Sequence, residues 1–452
     1  MDPPTGGLEL WGEKKVVLHE TRRAVTPWGG LSVFIEFLRR RGFREQLRQH
    51  LPIHLESPNA LDPAETLTAF LVSVLAGARR FAHAARLRGD RALQALVGVE
   101  RFPTDDTIRN LFKRFRHKLV VEFFEPLWAW QLERLPQREA GSSLDLDSTV
   151  FERYGRQEGA RRGYNPKKHG RASHHPLLAV LPEATFVLHG WLRSGNCTAA
   201  RGAVEFLKEA LARLGERVRI RVVRADAGFF EEPLLSFLEA RGLAYIVVAR
   251  MTPWLKREAA RVETWRELDE DYSAGEFRLR LWNWERERRF VVIRERMREE
   301  KHSLGRKLLD VPGYTFRVLV TSRDDPSEEV WRDDNRRADV EKRIAELKYD
   351  LAADDFCLHE FFATEAAFLS ILMLFNLLAE FQRAVGMPHY RQPASLRVEV
   401  FLCGAILGRA GHRTVLHLSS AWGGLEHRNA LFDHLLTYFV PTSPKLNFEP
   451  AT

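Results

Sequence analysis

Cysteine is scarce in this 452-residue chain: Cys197, Cys357 and Cys403 stand far apart. Three scattered thiols suit neither a disulfide framework nor a structural zinc site, so a reducing cytosol is the expected compartment. Long apolar runs are also missing. The most apolar stretch, residues 366–379, contains Asn376 and falls short of the roughly 20 residues a membrane helix needs. It reads as a buried core helix, and no membrane partner is expected. The opening MDPPTGGLELWGEKK has no basic segment followed by an apolar run, which argues against a secretory signal. Internal repeats and low-complexity tracts are absent, which argues against a repeat architecture.

What is present is a globular composition with a positive excess. Hydrophobic residues make up 45% and the formal net charge is +8, with a pI near 9.5. The length supports several domains with substantial cores. The charge points to a polyanionic partner but says nothing about chemistry.

Residues 27 to about 135 carry helical periodicity, with Pro63 and Thr104 at helix starts. ARRFAHAARLRGDR and KRFRHK place basic residues among phenylalanines. They fit either a helical module touching DNA backbone or a bundle with a solvated basic face. After Arg138 the pattern changes. SSLDLDSTVF alternates Leu144 and Leu146 against Asp145 and Asp147, which predicts a half-buried strand with both carboxylates on one face. Such a pair is either an exposed strand face or a cation site, since like charges that close disfavour each other.

The loop RRGYNPKKHGRASHHP then gathers Arg161, Arg162, Tyr164, Lys167, Lys168, His169 and Arg171, with His174 and His175 behind them. Without cysteines or HxxxH spacing, the histidines read as DNA contacts or surface residues rather than metal ligands. Two strands joined through Pro182, Glu183 and Ala184 follow. Next come a helix closed by Gly215, a strand ending at Asp226, a helix stopped by Gly242 and another buried strand. Functional groups of open α/β sheets gather beyond the carboxyl ends of strands, where Asp226 falls, although a lone turn aspartate reads the same way. FRLRLWNW and RRFVVIRER mirror each other across a charged turn, predicting a hairpin with a basic face. Trp282 and Trp284 on it could stack on an unpaired base or simply pack.

The segment DNRRADVEKRIAELK predicts one charged helix. At about 100° per residue, Glu341 and Lys348 fall roughly 40° and 20° from Arg337. Val340, Ile344, Leu347 and Leu351 border them as an apolar stripe, while Asp339 and Glu346 project to the solvated side. On spacing alone this is a helix laced with charge pairs whose best-placed acid is Glu341.

Taken together, Asp147 in LDLDST, Asp226 in RADAGFF and Glu341 in this helix resemble the DDE transposases of bacterial insertion sequences. The helix resembles their signature of Tyr, two residues, Arg, three residues, Glu, six residues, Lys, matched by Arg337, Glu341 and Lys348. The phrases GYNPKKHGRASHHPLLAV and NRRADVEKRIAELK look like the 1380 family of insertion sequences, and the likeness spans most of the chain. One departure is Asp334 at the tyrosine position, which would change how a DNA strand is held without removing a metal ligand.

The resemblance implies an α/β fold with a ribonuclease-H-like mixed sheet flanked by helices. It divides the chain into an N-terminal helical DNA-binding region (1–140), a catalytic core (141–250 and 314–385) interrupted by a β-rich insertion (251–313), and a C-terminal helical region (386–452). It implies that Asp147, Asp226 and Glu341 bind two Mg²⁺ ions, with Mn²⁺ able to substitute, about 3.5–4 Å apart for in-line attack on a phosphodiester. Arg337 and Lys348 would contact phosphates. The expected activity is cut-and-paste transposition by a dimer bound to double-stranded DNA at terminal inverted repeats, in a bacterial cytoplasm at the nucleoid. The alternatives are a DNA-binding derivative without catalysis and a stand-alone metal-dependent nuclease.

Overall fold

The computed structural model describes residues 8–9, 15–16, 21–57, 59–166, 168–296, 313–421 and 425–438. Its centre is a nine-stranded mixed sheet. In chain order the strands are β1 (Ser142–Ser148), β2 (Leu177–Leu181), β3 (Phe186–Trp191), β4 (Ile220–Ala225), β5 (Tyr245–Val248), β6 (Arg266–Glu267), β7 (Tyr272–Leu279), β8 (Arg288–Arg296) and β9 (Tyr314–Thr321). In space they run β6-β7-β8-β9-β5-β4-β1-β2-β3. β4 is parallel to both β1 and β5, and the other pairings are antiparallel. The segment expected as a β-rich insertion therefore pairs into the same sheet, because β9 joins β5 and carries β8 and β7 outward.

Among the described residues, seven α-helices precede the sheet; the five of eight residues or more are α1 (Leu31–Arg40), α2 (Phe43–His50), α3 (Pro63–Leu75), α4 (Asp105–Lys113) and α5 (His117–Leu132). Their starts follow local chemistry. Asp62 accepts from Ala64 N and Glu65 N ahead of Pro63, and Thr104 Oγ1 accepts from Thr107 N. Within and after the sheet come α6 (Ala203–Leu214), α7 (Glu232–Ala240), α8 (Ser327–Asn335), α9 (Ala338–Ala345) and α10 (Phe361–Ala384). The predicted order of three strands, helix, strand, helix, strand is the order observed.

α10 is longer than its apolar run. It covers 24 residues, and its most apolar 18-residue window has a mean hydropathy of 1.9, long and apolar enough to cross a membrane, yet 83% of that window is buried within the fold. Polar residues extend it because each finds a partner: Asn376 bonds Val187 and Gln131, and Glu380 pairs with Arg41 at 2.8 Å. Gly190 of β3 allows the close approach, since a Cβ there would meet Leu372 Cδ1 at 2.4 Å. Trp128 of α5 donates to Val187 O, so the N-terminal helices, α10 and the sheet share one contiguous core.

The C-terminal region is not purely helical. Residues 405–410 and 413–418 form a hairpin that pairs with Val25–Thr26, and among the described residues beyond it Leu425–Tyr438 is helical. The signal was local: Gly411, at φ 59°, supplies a two-residue turn between two β-prone segments.

Candidate functional site

β1 is buried along both faces rather than half-buried, because the main core covers Leu144 and Leu146 on one face and Arg224, held by α8 through Asp333 O, covers Asp145 on the other. Its two aspartates share a face but not a role. Asp145, wholly buried, is gripped by Arg224 through Nε–Oδ1 and Nη2–Oδ2 bonds of 2.6 and 2.7 Å. Burial still pushes its carboxyl up to about 6 against that pairing. Asp147 has no such fork. The register pairs Asp145 with Arg224 and Leu146 with Ala225, so the next step sets Asp147 beside Asp226 at the carboxyl ends of β1 and β4.

Asp226 caps a short turn, its Oδ1 accepting from Gly228 N at 2.9 Å. Asp147 Oδ1 accepts from Ser148 N at 2.7 Å, and its Oδ2 faces Arg337 Nη1 at 3.8 Å. Burial, then the Asp226 charge, push the Asp147 carboxyl up to about 7; Glu341 adds to this and Arg337 opposes it. The three acids thus share one electrostatic site. Among the described residues, however, no group of three or more His, Cys, Asp or Glu side chains is gathered closely enough to hold a metal ion. Arg337 stands between two of them, its Nη2 3.4 Å from Glu341 Oε1. The Glu341 side chain is 66% exposed.

The glutamate segment is not one continuous helix. α8 ends at Asn335, α9 starts at Ala338, and Glu346–Asp350 form a π-type turn. Val340, Ile344, Leu347 and Leu351 are buried as expected. Glu346 is buried too, contrary to the helical wheel, because Tyr390 and Arg343 cover it with bonds of 2.7 and 3.1 Å. Lys348 Nζ donates to Val150 O at 2.9 Å, tying this turn to the chain just past Asp147. Asp334 is 1% exposed and pairs with Arg317 at 2.6 Å, so it sits beneath the cleft rather than against a DNA strand. Its neighbour Asp333 pairs with Arg221 at 2.7 Å and with Arg323. Burial alone would raise its carboxyl, but those two guanidiniums hold it down to about 2.

A cleft of about 1950 Å³ opens over Asp226 and Glu341, with Asp147 buried behind its wall next to the lining residue Ser148. That exceeds the roughly 300–1,000 Å³ of small-molecule sites. Its wall includes Asp226, Glu341, Arg337 and Lys348, with Arg80 reaching in from the N-terminal helices.

The basic loop forms a flap beside the cleft, a small sheet of Phe151–Glu152, Ala172–His174 and Arg161–Arg162. Arg161, Arg162, Lys168, His169 and Arg171 are exposed on it, and Tyr164, 70% exposed, lines the cleft. Lys168 Nζ donates to Glu152 at 2.9 Å, and Arg171 lies over the Tyr154 ring at 4.6 Å. Lys167 lies outside the described residues.

His174 and His175 are not surface residues. His174 accepts from Arg153 Nε and bonds Glu158 O. His175 Nδ1 lies 2.6 Å from Cys197 O and must carry the proton, which leaves Nε2 to accept from Ser148 Oγ at 3.1 Å. Burial lowers the His175 pKa, keeping the ring neutral so that it braces the residue after Asp147. Sequence reasoning missed this role; the available signal was HHP directly ahead of β2, the strand that pairs with Asp147.

The two tryptophans part ways, and base stacking by Trp284 needs correcting. Trp284 is 6% exposed, stacked on Phe290 with Arg288 over its ring at 4.7 Å, so it is core. Trp282 is 90% exposed but sits on the hairpin tip between β7 and β8. Strand polarity puts that tip at the far end of the sheet from the acids: the cleft is lined by Tyr272, Glu295 and Thr315, at the opposite ends of β7, β8 and β9. The tryptophan in the cleft wall is Trp331 of α8, against Tyr272.

Among curated proteins no relative matches this chain. Among solved structures, it is similar to a chain of a cryo-EM structure of a piggyBac transposase synaptic complex with hairpin DNA. That likeness has a TM-score of 0.44 and 12% identity, over 94% of this chain and 85% of that one. The family model described as transposase DDE domain group 1 matches residues 8–438, and the chain belongs to that family of DDE transposases.

Proposed function

We propose that the chain is a cut-and-paste DNA transposase that binds terminal inverted repeats, in which Asp147, Asp226 and Glu341 are the acids of the reaction. The observation that carries this reading is the placement of Asp147 and Asp226 side by side at the carboxyl ends of two parallel central strands, with Asp226 and Glu341 on one cleft. The strand order β3-β2-β1-β4-β5 with helices between suits a ribonuclease-H-like core. The likeness of two sequence phrases supports placement with the 1380 family of insertion sequences.

A divalent cation suits the chemistry of the donors, although the side chains as they stand are not gathered closely enough to hold one. All three are carboxylates, the hard oxygen ligands that Mg²⁺ or Mn²⁺ takes, and the Asp226 charge that adds to burial in raising Asp147 is what a cation relieves. Asp147, Asp226 and Glu341 would hold it, and bound there such ions, two in this reading, supply Lewis acidity and an activated oxygen for phosphodiester attack. This chain's residues do the rest. His175 holds the Ser148 hydroxyl while the Ser148 N–H holds Asp147 Oδ1, and Lys348 fixes the following loop through Val150. Arg161, Arg162, Tyr164, Lys168, His169 and Arg171 on the flap, with Lys167 in the same loop, hold the DNA backbone, aided by residues 1–140. A dimer would bridge two DNA ends.

Asp226→Asn and Glu341→Gln should each abolish Mg²⁺-dependent cleavage of DNA carrying the inverted repeats that flank the reading frame, while leaving binding intact. Cleavage that survives either change would refute the assignment. The alternative is a DNA-binding derivative without catalysis, and its motive in the sequence, Asp334, is met in the fold by Arg317.

A further inference from the structure

Arg337 is expected, by resemblance, to hold a DNA phosphate. It lines the cleft, but two of its three guanidinium nitrogens are turned away from any standing phosphate contact. The residue is 7% exposed, at the junction between α8 and α9, and its guanidinium points at two of the three acids. Nη1 lies 3.8 Å from Asp147 Oδ2 and Nη2 lies 3.4 Å from Glu341 Oε1. Nε and Nη1 are buried with no hydrogen-bond acceptor among the described residues. A phosphate reaches those donors only if the side chain swings out.

The oxygens tell the same story from the other side. Asp147 Oδ1 accepts the Ser148 N–H, so Oδ2, the atom that faces Arg337, is the one directed at any cation in the site. A guanidinium and a divalent cation cannot both occupy the space between Asp147 and Glu341. The guanidinium brings one positive charge to a cluster of three acids, enough to hold it together but not enough to neutralise it.

Resting on the assignment of these three acids, we infer that Arg337 is a counter-ion and positioning residue, bridging Asp147 and Glu341 in the metal-free protein and competing with divalent cations for their oxygens. Metal capture then requires Arg337 to leave, and the departing guanidinium becomes free for an incoming phosphate. The cost of removing it keeps the DNA-free protein poorly loaded with metal, which limits cleavage away from a bound end.

The test uses full-length, DNA-free protein and Mn²⁺ alone, with free Mn²⁺ followed by electron paramagnetic resonance. Arg337→Gln should bind Mn²⁺ roughly tenfold more tightly than wild type, the scale on which one neighbouring charge shifts an ionic equilibrium. Asp226→Asn in the same background should erase the gain. Arg337→Lys, a point charge that cannot span both carboxylates, should tighten binding by a smaller factor and serves if the Gln variant does not fold. Unchanged or weaker Mn²⁺ binding in these variants, with wild-type binding still dependent on Asp226, overturns the role of Arg337 but leaves the acid assignment standing. Mn²⁺ binding indifferent to Asp226→Asn in every background overturns both. Metal-free DNA binding gives an independent readout. The log–log salt slope should not change in Arg337→Gln, and a fall of about 0.9 marks a standing phosphate contact and refutes the inference.

Discussion

Asp147 should make the metal-free protein less stable as pH rises, and Asp147→Asn should remove that loss. Burial and the neighbouring Asp226 push this carboxyl from its ordinary 3.8 up to about 7. An acid with a raised folded pKa favours folding below its unfolded pKa, and the advantage disappears as pH rises through the folded value. Moving a carboxyl from 3.8 to about 7 corresponds to at most about 4 kcal/mol at pH 8, of which roughly 1.5 kcal/mol is already present at pH 5. Asparagine keeps an Oδ1 acceptor for the Ser148 N–H but leaves Arg337 without one carboxylate, so the gain will be smaller than that ceiling. The stability difference between variant and wild type should therefore grow by about 1–3 kcal/mol from pH 5 to pH 8. Urea unfolding in EDTA at the two pH values measures it, each variant compared with wild type at the same pH so that other titrations cancel. A difference that stays constant or shrinks with pH would show that the fold does not strain Asp147. Saturating Mg²⁺ should stabilise wild type more than the variant, since a ligand bound only by the folded state adds to its stability.

The buried fork beneath the site behaves differently. Arg224→Met should cost about 3–5 kcal/mol by stranding Asp145, and Arg224→Met with Asp145→Leu should recover most of it; a double variant no better than the single would refute the pairing. Trp284→Ala should cost about 3–5 kcal/mol as a core truncation, while Trp282→Ala should stay within about 0.5 kcal/mol and cleave normally. Loss of cleavage in Trp282→Ala would mean that the hairpin tip reaches the DNA by a route this strand polarity does not provide. Asp334→Tyr, which restores the resembling signature, should destabilise by about 1–3 kcal/mol through overpacking and give no gain in cleavage. A more active Asp334→Tyr variant would return that position to the DNA-binding surface.

Much of the core could be read from the sequence because its signals are local. Alternation in SSLDLDS, the Gly215 stop and the apolar spacing of Val340, Ile344 and Leu347 each depend on neighbours a few residues away, and the strands, the helix end and the buried stripe followed. The readings that failed depended on distant partners. Glu346 faced solvent on a helical wheel, but Tyr390 arrives from a later segment to cover it. His174 and His175 looked like surface cations, but strand pairing draws them inward against Arg153 and Ser148. Trp282 and Trp284 differ by two residues and a large change in burial, which no propensity distinguishes.

By itself, the sequence determined the kinds of group available: three carboxylates in recognisable settings, a basic loop, and Arg337, Glu341 and Lys348 on one helical segment. Only the tertiary structure decided how they meet. The parallel register of β1 and β4 sets Asp147 beside Asp226 and gives Asp145 to Arg224, a choice between two aspartates that the alternating pattern treats alike. Packing of the glutamate segment against β1 sets Arg337 between Asp147 and Glu341, a partner that helical spacing alone does not reveal. Composition and periodicity fix what each side chain can do, but strand pairing and helix junctions fix which charges share a low-dielectric space, and there a few ångströms decide which partner each one takes.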